Sequence, residues 1–101
     1  MHKTELEKID ATHYALKGEL TMHNVPQVAR ETAPLLESMA GEVRINLAGV
    51  VRADSAGLAL LVDWLRTAAA RQFTLHFENL PDQLMQIARV SELHKILPIS
   101  H

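Results

Sequence analysis

The chain has 101 residues, of which 48% are hydrophobic and 22% charged, the usage of a folded globular domain and not of a disordered chain. Ten Lys and Arg stand against twelve Asp and Glu, and a formal charge of −2 with no concentrated basic stretch argues against nucleic acid as a partner. Cysteine is absent, which excludes disulfides, a thiol nucleophile and a thiolate metal site.

Met1 to Asp10 alternates charged and apolar residues, with no basic region ahead of an apolar run, so it is read as part of the fold and not as a leader. Leu6 and Ile9 stand among acidic and basic neighbours, and Tyr14, Leu16, Gly18 and Leu20 then alternate with Ala15, Lys17 and Glu19. This two-residue period predicts two short strands joined by a turn near Asp10-Ala11-Thr12. Asn24 offers a helix cap with Pro26 inside the first turn, and Val28, Leu35, Leu36 and Met39 follow at helical spacing until Gly41. Pro34 removes a backbone donor within this pattern, so a kink or break is expected near Thr32-Ala33.

Val43, Ile45 and Leu47 alternate with Arg44 and Asn46 and predict a strand that runs toward the loop Arg52-Ala53-Asp54-Ser55. From Ala56 to Arg71 the period becomes helical, with Leu58, Leu61, Val62 and Leu65 on the expected inner face. Ala59, Asp63, Arg66 and Ala70 fall outside, and Leu60 and Trp64 fall on a flank, where packing against a neighbouring helix is the preferred reading for Trp64. Ala56–Val62 is the longest apolar run, far short of the ~20 residues that span a bilayer, so no membrane insertion is expected. Phe73, Leu75 and Phe77 give another strand, Pro81 opens a helix with Leu84, Ile87 and Ala88 on one side, and Ser91 is placed as the cap of a last short helix carrying Leu93, Ile96 and Leu97, stopped by Pro98. The whole reads as one α/β domain over residues 1–101, a small mixed sheet of about four strands with about four helices.

Chemistry is sparse. Neither a Gly-rich loop ending in Gly-Lys-Ser nor a Gly-x-Gly-x-x-Gly or His-Glu-x-x-His motif is present, so no cofactor and no tight nucleotide site are expected. His2, His13, His23, His76, His94 and His101 are scattered, with no i, i+3 or i, i+4 pair on a helix, and no metal site is assigned. Ser55 beside Asp54 invites a nucleophile, which would need a distant base such as His23 or His76; helix capping by Asp54 or Ser55 is the preferred explanation. A serine at a helix start is also where free backbone N–H groups and the helix dipole stabilise a phosphoryl group.

The run from Leu47 through Arg52-Ala53-Asp54-Ser55-Ala56-Gly57-Leu58 resembles the strand–loop–helix signature of the STAS domain family, which includes bacterial anti-sigma factor antagonists and sulfate-transporter tails. Leu16-Lys17-Gly18-Glu19-Leu20 is similar to the family's second strand, and Asn79-Leu80-Pro81 through Leu97 to its closing helices. Within the family, Asp54 to Leu61 is most similar to the MlaB-type STAS subunits of Mla phospholipid-transport ABC complexes, except that those have Thr at the switch position, whereas Ser55, like the serine of the antagonists, stands here. The resemblance implies a non-catalytic, cytoplasmic interaction module, docked on the ATPase subunit of an ABC transporter and thereby peripheral to the inner membrane. The alternative it implies is an anti-sigma factor antagonist that binds an anti-sigma factor kinase until Ser55 is phosphorylated. Arg52, Asp54, Ser55, Ala56, Ala59, Leu60 and Asp63 are the expected partner-binding residues, with Ser55 as the switch.

Overall fold

The computed structural model describes residues 4–95 and 97–100; Ile96, His2 and His101 lie outside the described residues. The elements are β1 (Glu5–Lys8), β2 (His13–Leu20), α1 (Val25–Glu37), β3 (Glu42–Ala53), α2 (Ser55–Arg71), β4 (Thr74–Glu78), α3 (Asp82–Val90), a single 3-10 turn at Leu93–Lys95, and β5 (Ile99–Ser100). The strands lie in sequence order, β1 antiparallel to β2 and every later pair parallel, so each parallel step is made through a crossover that carries helix.

Alternation along the strands sends Leu6, Tyr14, Leu16, Leu20, Val43, Ile45, Leu47, Leu75 and Phe77 into one buried layer beneath the helices. The intervening positions are mostly polar, and Lys17 Nζ reaches Glu7 Oε2 at 2.9 Å across the first strand pair. One face of the sheet is therefore core and the other faces water, the two-layer arrangement that the period-two pattern predicts. Strand β3 is much the longest, pairing with β2 through two register shifts while only its first half pairs with β4. Its second half carries the chain to the start of α2, where the expected site lies.

The sheet has about four strands as expected, with the two-residue β5 added at its edge, but the described residues form three α-helices and not about four. Ser91 closes α3, its Oγ donating to the Ile87 carbonyl at 2.9 Å, and the turn that follows is too short to be an α-helix. The turn ends at Lys95, ahead of the expected stop at Pro98, whose carbonyl accepts from Phe77 N at 2.8 Å and so leads into a strand.

No break accompanies Pro34, because the helix runs through it to Glu37. The residue sits on the exposed side of α1, as does Arg30, whose carbonyl loses its donor there and can turn to water. Helix α1 ends at Glu37, short of Gly41, with Ser38 Oγ donating to the Leu35 carbonyl at 2.8 Å.

The inner face of α2 is rotated from the expected one, with Gly57, Leu58, Leu60, Leu61, Trp64 and Ala68 buried and Val62 and Leu65 only partly so. Leu60 is 3% exposed and packs in the core, so it is removed from the expected contact surface. The cause is position: α2 is the middle helix, packed against α1 on one side and α3 on the other as well as on β3 and β4. Its buried arc is accordingly wider than one sheet-facing stripe.

Candidate functional site

Asp54, not Ser55, caps α2. With extended backbone it directs Oδ1 to accept from Ala56 N at 2.8 Å, satisfying one of the donors that a helix start leaves unpaired. Its other oxygen, Oδ2, accepts from Met22 N at 3.0 Å, and its own N–H donates to the Leu20 carbonyl at 3.1 Å. One residue thus ties the end of β2, the loop after it and the start of α2. Gly57 makes the approach possible, since a Cβ there would lie 2.8 Å from both Leu20 Cβ and the Leu20 carbonyl oxygen.

The Met22 N–H holds the Asp54 carboxyl below its ordinary value; burial opposes this, and the Ala56 and Gly57 N–H groups and the His23 charge reinforce it. A depressed folded pKa contributes stability that is present above the unfolded value and lost as pH falls through the folded one. Asp10, brought down to about 2 first by the Thr12 N–H and then by His13, adds to the same acid window. We expect Asp54→Asn to cost stability at pH 7, and the gap from wild type to shrink when urea unfolding is repeated near pH 3 (roughly a unit below the ordinary Asp value). A gap of equal size at both values would show that the Asp54 charge is not what holds the loop.

Ser55 is the first residue of α2, exposed, and its hydroxyl has no hydrogen bond to another described residue. Ala59 and Asp63, four and eight positions on, are also exposed, so the three make an outward stripe. Arg52 is exposed before the cap and Ala56 is half-buried behind Ser55. Of the expected contact residues, then, all but Leu60 gather around one loop and helix face. Among the described residues no hydrogen bond joins Ser55 to His23, and His76 lies on β4 in register with Arg44. Among the described residues no group of three His, Cys, Asp or Glu is placed to hold a metal, and no helix is long and apolar enough to cross a membrane.

Sequence reasoning missed Met22 and Gln83, and read Asn24 only as a helix cap, a bond its side chain does not make. Met22 is 69% exposed at the tip of the β2–α1 loop, an apolar side chain presented beside the Asp54 cap. Its signal was an apolar residue lying outside both the strand and helix periods. Gln83, in the first turn of α3, accepts from Ala53 N through Oε1 at 2.8 Å and so ties down the last residue of β3. Between these loops lies an open depression of about 490 Å³, lined by Met22, His23, Arg52, Asp54 and Gln83 among others.

A family model described as Mlab, STAS domain matches residues 6–98, nearly the whole chain. The chain belongs to the STAS family. Over 85 residues this STAS domain is 29% identical to the anti-sigma-B factor antagonist of Bacillus subtilis (strain 168), a span of 84% of this chain and 77% of that one. Its fold matches the phosphorylated form of the Bacillus cell fate determinant SpoIIAA with a TM-score of 0.70 over 98% of this chain and 92% of that one, at 17% identity. An anti-sigma factor antagonist from Mycobacterium paratuberculosis gives a TM-score of 0.72 over 96% and 83% of the two chains, also at 17% identity. The STAS resemblance carried by the Asp54–Leu58 loop therefore extends through the fold, and the similarity in sequence is to anti-sigma factor antagonists.

Proposed function

We propose that this STAS domain is a non-catalytic binding protein of the anti-sigma factor antagonist type, docking an anti-sigma factor kinase on the Ser55 loop and the outward stripe of α2. Phosphorylation of Ser55 ends that binding. The observation that carries the reading is Ser55 itself, an exposed hydroxyl at the first position of a helix whose cap and loop are fixed from three directions. A phosphoryl group there would meet the positive end of the α2 dipole, which favours it, while the adjacent Asp54 carboxylate that caps the helix opposes it. The similarity in sequence to the Bacillus subtilis antagonist supports the same reading.

A second reading has one observation in its favour, the Mlab description of the matching family. It makes the chain an accessory subunit on the ATPase of an Mla-type phospholipid-transport ABC complex, cytoplasmic and held at the inner membrane by that partner. Purification of the tagged chain from its own cells separates the two. Capture of a kinase-like anti-sigma factor, with phosphoserine at Ser55 by mass spectrometry, is the expected result; capture of an ABC ATPase by a chain unmodified at Ser55 would move the assignment to the transporter.

In either reading the outward stripe is the docking face. Ala59→Arg is expected to weaken capture about tenfold or more, because a long charged side chain is set where two surfaces must close. Thermal unfolding should change by no more than about 0.5 kcal/mol, since an exposed helical site accepts Arg. Unaltered capture by a folded Ala59→Arg chain would place the docking face elsewhere.

A further inference from the structure

We infer that Asn24 is a positioning residue for the Ser55 surface: its side-chain amide joins Thr4, just ahead of β1, to the loop that presents Met22 and engages Asp54. The inference deepens the binding reading above and rests on it for its consequence.

An asparagine before a helix ordinarily turns its carbonyl oxygen toward the N–H of the second or third helical residue. Asn24 makes no such bond, and Pro26, at the second position of α1, has no N–H to offer. The amide is turned the other way. Oδ1 accepts from Thr21 N at 2.8 Å and closes the loop on itself, while Nδ2 donates to the Glu19 carbonyl at 2.6 Å and to Thr4 Oγ1 at 2.8 Å.

Thr4 is only 7% exposed, and its hydroxyl imitates a strand backbone: it donates to the Glu19 carbonyl at 2.6 Å and accepts from Glu19 N at 3.0 Å. The first pairing of β1 with β2 is thereby extended by a side chain to the edge of the loop. Within that loop, Asn24 N and Val25 N both donate to the Thr21 carbonyl, at 3.0 and 2.9 Å, leaving Met22 at the tip with its N–H directed to Asp54 Oδ2. The links run in series, from Thr4 to Asn24, through the loop to Met22, and on to the cap of the helix that begins with Ser55. This series adds to the Asp54 N–H bond to the Leu20 carbonyl in fixing exposed Met22 relative to exposed Ser55.

Amide hydrogen exchange by NMR on the full chain tests the inference. Thr4→Val keeps the shape and removes the hydroxyl, Asn24→Ala removes the amide, and Thr4→Ser restores a hydroxyl. The Met22 amide is expected to exchange about tenfold faster in the first two variants, beyond any change at Ile45 and Leu61 in the core, and to return to the wild-type rate in Thr4→Ser. Unchanged exchange at Met22 overturns the inference, and so does acceleration of Met22, Ile45 and Leu61 by one common factor, which is overall loosening alone. This readout needs no partner. If Met22 responds as expected but Ser55→Asp leaves partner capture intact, the Asn24 link stands and it is the Ser55 reading that falls.

Discussion

Trp64→Ala is expected to lower the stability of the fold by about 3–5 kcal/mol, the cost of replacing a large buried aromatic by a methyl group when the surrounding core only partly collapses. The ring is 2% exposed, one helical turn from Leu60 and from Ala68 on the inner side of α2. It also lines the groove where Leu36 and Ala29 of α1 approach α2, so its loss removes packing between two helices as well as onto the sheet. A domain of this size has roughly 5–15 kcal/mol in all, so the variant should lose a substantial share of its stability. Urea denaturation measures the change directly. A loss below about 1 kcal/mol would mean that the indole contributes as a surface residue, against the burial observed here. Partner capture by Trp64→Ala reports on folding first, and Ala59→Arg is the variant that reports on docking.

The contrast between Trp64 and Ala59 shows what periodicity alone resolves. In β2, β4 and the first half of β3 the alternation is clean and the buried positions were legible, because a sheet with one wet face imposes a two-residue rule; beyond Leu47 the register with β2 shifts and buried Val50 falls out of that period. Helix α2 was legible as a helix but not in its facing. Nearly every residue from Ala56 to Val62 is apolar, so the sequence offers little angular contrast, and the packing of α1 and α3 on its two sides decides which flank is buried. Leu60 was misplaced for that reason. Pro34 misled in the opposite sense: a strong local signal was overridden because its exposed side lets water take the orphaned carbonyl.

The candidate site divides in the same way. Asp54, Ser55 and Gly57 lie close in sequence, and a cap at Asp54 or Ser55 follows from local chemistry, whereas the choice of Asp54 and the close approach of Gly57 to Leu20 depend on β2 and the loop after it. Met22 and Gln83 reach the site from 32 residues before Asp54 and 30 residues after Ala53, through a backbone N–H in one case and a side-chain amide in the other. Neither contact leaves a pattern in the sequence. Asn24 was visible, but as a helix cap; that its amide faces away from the helix depends on Thr4, which lies twenty residues earlier, just ahead of β1.

Ser55→Asp is expected to reduce partner affinity by roughly a hundredfold, about 2.7 kcal/mol, while Ser55→Ala and Ser55→Thr retain it within a few fold. A carboxylate at this position lies next to Asp54, whose own carboxyl is already held ionised by the Met22 and Ala56 N–H groups. In the free domain the added charge is tolerable, because the site is exposed, water screens the pair and the helix dipole favours an anion at its start. Within a closed interface that screening is lost, and a charge buried without a partner costs several kcal/mol. Alanine keeps the surface neutral and small, and threonine keeps the hydroxyl with one extra methyl group, so neither introduces the charge. All three variants should unfold within about 1 kcal/mol of wild type, because Asp54 and not Ser55 supplies the cap. Titration of the purified partner against each variant, with thermal unfolding measured alongside, separates the charge effect from any loss of fold. Equal affinity of wild type and Ser55→Asp would mean that a negative group at the start of α2 does not govern docking, and the phosphorylation switch would have to be abandoned even if the stripe through Ala59 remained the contact face.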